Sequence, residues 1–527
     1  MIIDLRSETP SEIKAQVVIV GAGAVGLLLG TQLARAGANV VICESGGRSP
    51  ELASQALNEA EVSGKPHAGV SVGRARVLGG TTTLWGGQLV AFRPIDFERR
   101  EWLAIDAWPV GYGELTDYYS EVAAILGLSS VHDDAEVWRS LSLPAPELGE
   151  DCELLLTRWL REPNFARLFR AELKTSNNLR VFLHAHATRL KVDERKARVA
   201  AVELVSPGQR RVDVAAEQIV VACGAIEASR LLLASARADP AAPWAGNDQV
   251  GACFQDHLDL RAAEVHPIDA RRFHDAFDNI YLSGYKYQPK ISLSHDSQRS
   301  NLTSNVAASF IFESSLNNHL SDLKMLVRAL MRGAVPENLK DAPQAIAALA
   351  GMWTPLLKRY FRDRRAHNFA DLGIHLAVHA EQIPIPQSRI RLSETRRDPY
   401  GVPLAHLDWQ VDGAEVDAMA TFCELLDRRL RANGLARLAI DPRLASRDRA
   451  ILDDCQDTNH HCGGLCMGRN ERTGVVDSNL RVFGTENLFV AGAAVFPSSS
   501  FANPTYTAMA LALRLRDHLL EARHALH

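Results

Sequence analysis

The sequence predicts an α/β fold, α+β when the whole chain is counted: a parallel-sheet domain built from separated stretches of chain, with a second domain inserted in it. Three observations carry this. Residues 16–44 hold an apolar run, a glycine-rich turn, a helical stretch and a second apolar run, which is β-α-β in about 30 residues. Elements of the same kind return at 181–224 and again toward the C-terminus, where short strands precede a long helix, Tyr506 to Leu520. The stretch 266–454 lacks glycine-rich turns of this kind and is read as a substrate domain with an antiparallel sheet and helices. The expected division is 1–100, 178–265 and 455–527 for a discontinuous Rossmann-type domain, 101–177 as a mixed connecting segment, and 266–454 as the inserted domain.

The elements follow in order. Val17-Val-Ile-Val20 and Val40-Val-Ile-Cys43 are β-branched runs of strand length, and the helix between them runs through Leu29 and Leu33. Residues 181–183, 199–205 and 212–214 read as short strands, separated by charged or Pro-Gly turns such as Ser206-Pro207-Gly208. Ile219-Val-Val221 leads into Gly224 and a helix with Leu231, Leu232 and Leu233. The stretch 312–366 is expected to be helical, with Leu323, Met325, Leu326, Leu330 and Met331 near helical spacing. It ends in a basic run, 358–365, read as a solvated helix face, with a membrane-surface or partner-docking face as the alternative.

Composition excludes several classes. Of the 527 residues 46% are hydrophobic and 23% charged, so the chain is globular rather than disordered or collagen-like and needs no disulfide or metal staple. Lys+Arg total 58 against Asp+Glu 63, a net charge of −5 that argues against nucleic acid as the main partner. Eight cysteines are sparse, and Cys43 and Cys223 lie in apolar, strand-like runs that suit core thiols. The first residues lack a basic region followed by an apolar one, and no apolar run is long enough to span a bilayer. A reduced, cytoplasmic protein without a transmembrane segment is expected.

Gly21-Ala-Gly23-Ala-Val-Gly26 is G-x-G-x-x-G between strand and helix, and Glu44 ends the next strand. Gly21 makes the tight turn, Gly23 lets the backbone approach a pyrophosphate, and Gly26 allows close helix–strand packing. The helix N-terminus favours the phosphate charge. Glu44 accepts hydrogen bonds from ribose hydroxyls and repels a 2′-phosphate. The motif by itself does not separate FAD from NAD. The return to cofactor-type elements twice more along the chain departs from a single contiguous Rossmann unit followed by a catalytic domain.

With these motifs the chain resembles the glucose-methanol-choline (GMC) family of FAD-dependent oxidoreductases, on its bacterial, sugar-oxidising and pyranose-oxidase-like side. The resemblance covers most of the chain and rests on the phosphate turn with Glu44 and on four further segments. Arg76 to Gly87 is similar to the family's Gly-Gly-Ser/Thr segment along the flavin and pyrophosphate. It implies cofactor contacts from Arg76, Gly79, Gly80, Thr81, Thr82, Trp85, Gly86 and Gly87. Cys223-Gly224-Ala-Ile-Glu227 precedes the leucine-rich helix, and Gly251 to His257 resembles a Gln-Asp-His segment. The last block runs from His460-His461-Cys-Gly463-Gly464 to Asn503-Pro504-Thr505. The same resemblance assigns Ala187, Gly224, Gly492, Ala493, Asn503, Pro504 and Thr505 to the cofactor site. The chain departs from the family signature after Gly224, where Ala228-Ser229-Arg230 replaces its Ser/Thr-Pro. Some pyranose oxidases carry a flavin-linking His where this chain has Leu84, which implies FAD held non-covalently.

Oxidation of an alcohol by flavin needs a base for the hydroxyl proton and a donor that fixes the oxygen. Histidine suits the base, with an ordinary pKa of about 6.5. The resemblance places it at His460, with Asn503 as the positioning donor and His461 in support. Pro504 suits the first turn of the terminal helix, whose N-terminus is placed to face the flavin edge where negative charge collects. Asn503 as a plain helix cap is the alternative. Metal is not expected at His460, His461, Cys462 and Cys466, because no second distant Cys pair completes a zinc pattern. Gln88, His379 and Gln382 are candidate substrate contacts, with a loop residue (Gln88) and a core His (His379) as the plainer readings. Asp477 is read either as part of the family segment before the last cofactor strand or as a turn residue.

The expected reaction is therefore CH–OH to C=O on a small-molecule alcohol, a sugar or glycoside by analogy, with hydride to the flavin and reoxidation by O₂ or another acceptor. A non-sugar alcohol, an elimination or decarboxylation on the same fold, a flavin-binding subunit without turnover, and an NAD-dependent dehydrogenase are the rivals. The sequence is compatible with a homo-oligomer.

Overall fold

A computed structural model describes the chain except for residues 8–9, 11–12, 129–132, 196, 316–358, 360, 362, 366–367 and 525–527. One sheet of eight strands carries the nucleotide-type elements. Ile2–Asp4, Leu179–Leu183, Val40–Cys43, Ile13–Val20 and Arg211–Val221 lie side by side in that order, all parallel. Val199–Val205 and His186–Val192 add an antiparallel edge, and Leu488–Val490 pairs in parallel with the end of Arg211–Val221. One sheet thus draws strands from three distant stretches of chain. Its central strands are buried on both faces, which is why Val40–Cys43 is an unbroken apolar run.

Helix Ala24–Arg35 crosses between Ile13–Val20 and Val40–Cys43. Leu27, Leu28, Leu29 and Leu33 on it are fully buried, each contributing roughly 1.5–3 kcal/mol. It packs against helix Thr505–His524, and that contact sets residues 503–505 beside the phosphate turn.

A second sheet has nine strands, paired antiparallel. Its main path runs Ala436–Ile440, Leu258–Pro267, Gly373–Ala380, Val306–Glu313, Tyr285–Leu293, Cys152–Trp159 and Gln88–Leu89. Gln88–Leu89 and Cys152–Trp159 come from outside 266–454, and Leu258–Pro267 begins outside it. A third sheet pairs the hairpin Arg389–Arg397 and Pro403–Trp409 with Ala60–Gly64. Arg230 ties helix Ala225–Ala238 to that hairpin, donating to Pro403 O (2.7 Å) and Asp398 (2.7 Å).

Most of the expected helical stretch 312–366 lies outside the described residues. Two residues of the basic run, Arg359 and Arg365, depart from the solvated-face reading, whereas Arg364 is exposed. Arg359 pairs with Asp275 and Asp278, and Arg365, 1% exposed, donates to the carbonyls of His274 and Asp275. Helix Ala270–Phe277 and its C-cap Asp278 supply those acceptors, so these two guanidiniums turn inward. All eight cysteines are free. Cys43 is buried as expected and Cys223 is partly buried, and both reach the wall of the large cavity described next. Among the described residues no helix is long and apolar enough to cross a membrane.

Candidate active site

A cavity of about 650 Å³ opens along the carboxyl ends of the parallel strands and runs to the second sheet. All the residues expected in the site line it except Gly26, Gly79, His379 and Gln382. Gly26 sits one layer below: a Cβ there would meet Gly21 O at 2.0 Å, so it brings the helix onto the strand. Gly79 packs on Ala166 and Asn164 outside the cavity. Its neighbour Gly80 has φ +56° and lies against Gly23, where a Cβ would come within 2.8 Å of the Gly23 Cα.

The wall fits a dinucleotide. Helix Ala24–Arg35 starts with no side-chain cap and no acid in its first turn, so its free N–H groups face an anion-sized space. A Cβ added at Gly23, Gly224 or Gly492 would meet nothing within 4 Å, so the bare backbone is open to close approach. Glu44 accepts from Ala22 N (3.0 Å) and Gly46 N (2.8 Å), one bond to each carboxylate oxygen, leaving acceptor capacity for ribose hydroxyls. Burial raises its pKa above the ordinary carboxylate value, opposed by those two bonds. Arg76 is spent within the protein, on Asn58, Ser45, the Leu57 carbonyl and Glu227.

At the other end of the cavity stand His460 and Asn503. Asn503 Nδ2 lies 3.0 Å from His460 Nε2, and His460 Nδ1 lies 2.9 Å from His257 Nδ1. Asn503 Oδ1 is buried with no hydrogen-bond partner, so Asn503 does not cap the terminal helix. Asp256, fully buried, is the anchor of this cluster. Its Oδ1 accepts the backbone N–H groups of His257 (2.7 Å) and His460 (2.9 Å) and the Thr458 hydroxyl (2.9 Å). Its Oδ2 lies 3.1 Å from His67 Nε2 and 3.7 Å from His461 Nε2. Burial alone would raise the Asp256 pKa, but the His67 hydrogen bond and the neighbouring histidines outweigh it and hold the carboxyl well below its ordinary range. Burial pushes His460 and His461 down to about 3. His461 turns toward His67 and Phe254, with ring centroids 5.2 and 6.0 Å away.

Three residues of this cluster went unassigned in the sequence. His67 gives no local signal at all. Asp256 and His257 stand in the Gln-Asp-His segment, whose sequence assigns neither a task. Conversely, two candidate substrate residues serve the scaffold. Gln382 is fully buried, accepting from Asp256 N (3.0 Å) and Trp409 Nε1 (2.9 Å) and donating to Gln410 O. With every polar atom used, it has none to offer a substrate. His379 does not line the cavity; its Nδ1 lies 3.2 Å from Asp259 Oδ1 across the sheet. Gln88 does line the cavity, donating to Thr157 Oγ1 (2.7 Å). Asp477 is a turn residue, accepting from Asn479 N and Arg481 N (both 2.9 Å).

Comparison with known proteins agrees with this geometry. Residues 166–259 and 384–512 match the N- and C-terminal GMC oxidoreductase domains. The fructose dehydrogenase large subunit of Gluconobacter japonicus is 23% identical over 96% of this chain and 98% of its own length. Paromamine 6'-oxidase of Streptomyces fradiae is 25% identical over 97% and 93%. A solved structure of Aspergillus oryzae formate oxidase shares the fold at a TM-score of 0.59 and 17% identity, covering 98% of this chain and all of that one. The two matched domains, with the phosphate turn and the His–Asn pair on one cavity, identify the chain as a member of the GMC oxidoreductase family, FAD-dependent enzymes that act on CH–OH groups.

Proposed function

We propose that the protein oxidises a hydroxyl-bearing carbon of a sugar or glycoside to a carbonyl. The observation that carries the reading is the Asn503 Nδ2–His460 Nε2 pair, 3.0 Å apart, on the wall of the cavity that begins at the phosphate turn. When bound there, FAD supplies the hydride acceptor, which O₂ or another acceptor then reoxidises. His460 Nε2 takes the hydroxyl proton, and Asn503 Nδ2 donates to the substrate oxygen as negative charge develops on it. The Asp256 carboxylate holds the backbone of His460 in place. The sugar class is supported by the relatives acting on fructose and on paromamine.

The test is anaerobic mixing of the flavin-loaded protein with mono- and disaccharides, glycosides, aminosugars and simple diols, followed at the flavin band. Bleaching by one sugar class is expected; bleaching only by the non-sugar diols would overturn the substrate reading. Admitting air afterwards separates oxidase from dehydrogenase.

The flavin is held without a covalent bond through residue 84. Leu84 lines the cavity with no nucleophilic atom. Acid precipitation is expected to leave all the yellow colour in the supernatant, and colour retained in the pellet would contradict this.

A further inference from the structure

We propose that His257 is a positioning residue that fixes the tautomer of His460, an inference that rests on the reading of His460 as the base. His257 Nε2 lies 3.3 Å from the backbone carbonyl of Ser499. A carbonyl oxygen only accepts, so Nε2 of His257 carries the hydrogen. In a neutral ring the other nitrogen is then bare, and His257 Nδ1 is an acceptor. It lies 2.9 Å from His460 Nδ1, which must therefore be the donor. With its hydrogen on Nδ1, neutral His460 has a bare Nε2, the atom that meets Asn503 Nδ2. One carbonyl, two rings and one amide thus form a chain in which each hydrogen has a single place. The orphaned Asn503 Oδ1 fits the same sense, because its amide gives the hydrogen rather than taking one.

The chain needs His257 neutral. It is 1% exposed, and burial holds it below its ordinary pKa. Asp256 and Glu381 favour its charged form and Lys290 opposes it, with His460 in direct contact. Lys290 is itself a buried cation, 6% exposed. Asp256 Oδ1 accepts the backbone N–H of both histidines, so the two rings are held in register from one oxygen. In the reaction the substrate O–H bond breaks and an Nε2–H bond forms on His460. The charge that appears on that ring strengthens the Nδ1–H donation to His257. The opposite tautomer would turn the Nε2 hydrogen toward the substrate, and His460 could then take no proton.

In the flavin-loaded enzyme, His257→Leu removes the acceptor and is expected to lower kcat roughly ten- to a hundred-fold, the size seen where one partner orients an imidazole. KM should stay unchanged. His257→Asn, whose Oδ1 can accept from His460 Nδ1, should recover most of the loss. Two outcomes overturn the proposal: wild-type kcat in a flavin-bound His257→Leu, or a flavin-bound His257→Asn as slow as the leucine variant. Nitrogen NMR of ¹⁵N-histidine holoenzyme reads the tautomer without a core change, with the His460 signal assigned by its loss in His460→Gln. A bare Nε2 supports the proposal and a protonated Nε2 rejects it. His460→Ala separates the two levels. Turnover that survives it removes the base reading itself, whereas loss there with a wild-type rate in His257→Leu removes only the role of His257.

Discussion

Replacing His460 with alanine is expected to lower kcat by about 10²–10⁴-fold, the usual contribution of a positioned base, while the flavin stays bound. The phosphate turn, Glu44 and the glycine-lined wall lie at the other end of the cavity, so cofactor affinity should hardly change. A normal flavin spectrum with normal turnover in His460→Ala would reject the base assignment. The acid side of the pH profile is a second reading of the same residue. Burial, and then the adjacent His257, hold His460 down to about 3. A base with a depressed pKa stays unprotonated as the solution is acidified. The fall in kcat/KM due to this group should therefore lie well below pH 6.5, the ordinary histidine value. A profile that halves near pH 6.5 and loses that limb in His460→Ala would show the ring in contact with water.

The second large effect is on stability. Glu381→Ala should cost about 3–5 kcal/mol, because it strands a buried guanidinium. Arg100 and Glu381 are both fully buried and meet through two bonds of 2.6 and 2.7 Å. Glu381 also accepts from Asn305 N and Ser500 N, both at 3.1 Å, and Ser500 lies three residues before Asn503. The variant should thus unfold at lower denaturant and lose turnover even where it remains folded. Removing Arg100 as well should restore part of the loss, since the stranded guanidinium is then gone. Urea unfolding of the two single variants and the double one checks this. A change below about 1 kcal/mol for Glu381→Ala would mean that Arg100 finds water.

What the sequence shows of this molecule follows the range of the interactions. The β-α-β unit was legible because its signals are local: β-branched runs, three glycines and an acid within residues 16–44. His460 and Asn503 were reached through resemblance, since nothing in their spacing says that their side chains meet. The Asp256 cluster joins residue 256 to positions 189 and 204 residues away in the chain, and no periodicity reports contacts of that length. Gln382 and His379 misled for a different reason. A polar residue near a strand end looks available for a ligand, but here one amide holds Asp256 in place and the imidazole faces Asp259. The basic run misled in the same way. Arg359 and Arg365 look solvated in sequence and are folded against carbonyls and carboxylates of a neighbouring helix.

The three-part origin of the first sheet has a consequence for how this enzyme comes into being. A chain leaving the ribosome displays its phosphate turn before the helix that packs on Ala24–Arg35 exists, so that side of Ala24–Arg35 is uncovered. Strand Leu488–Val490 and helix Thr505–His524 emerge several hundred residues later, so the sheet and its helix wait through most of synthesis. During that wait the nascent chain is sticky and catalytically silent. The same late segment that covers the first helix also delivers Asn503, so protection of the core and birth of activity arrive together.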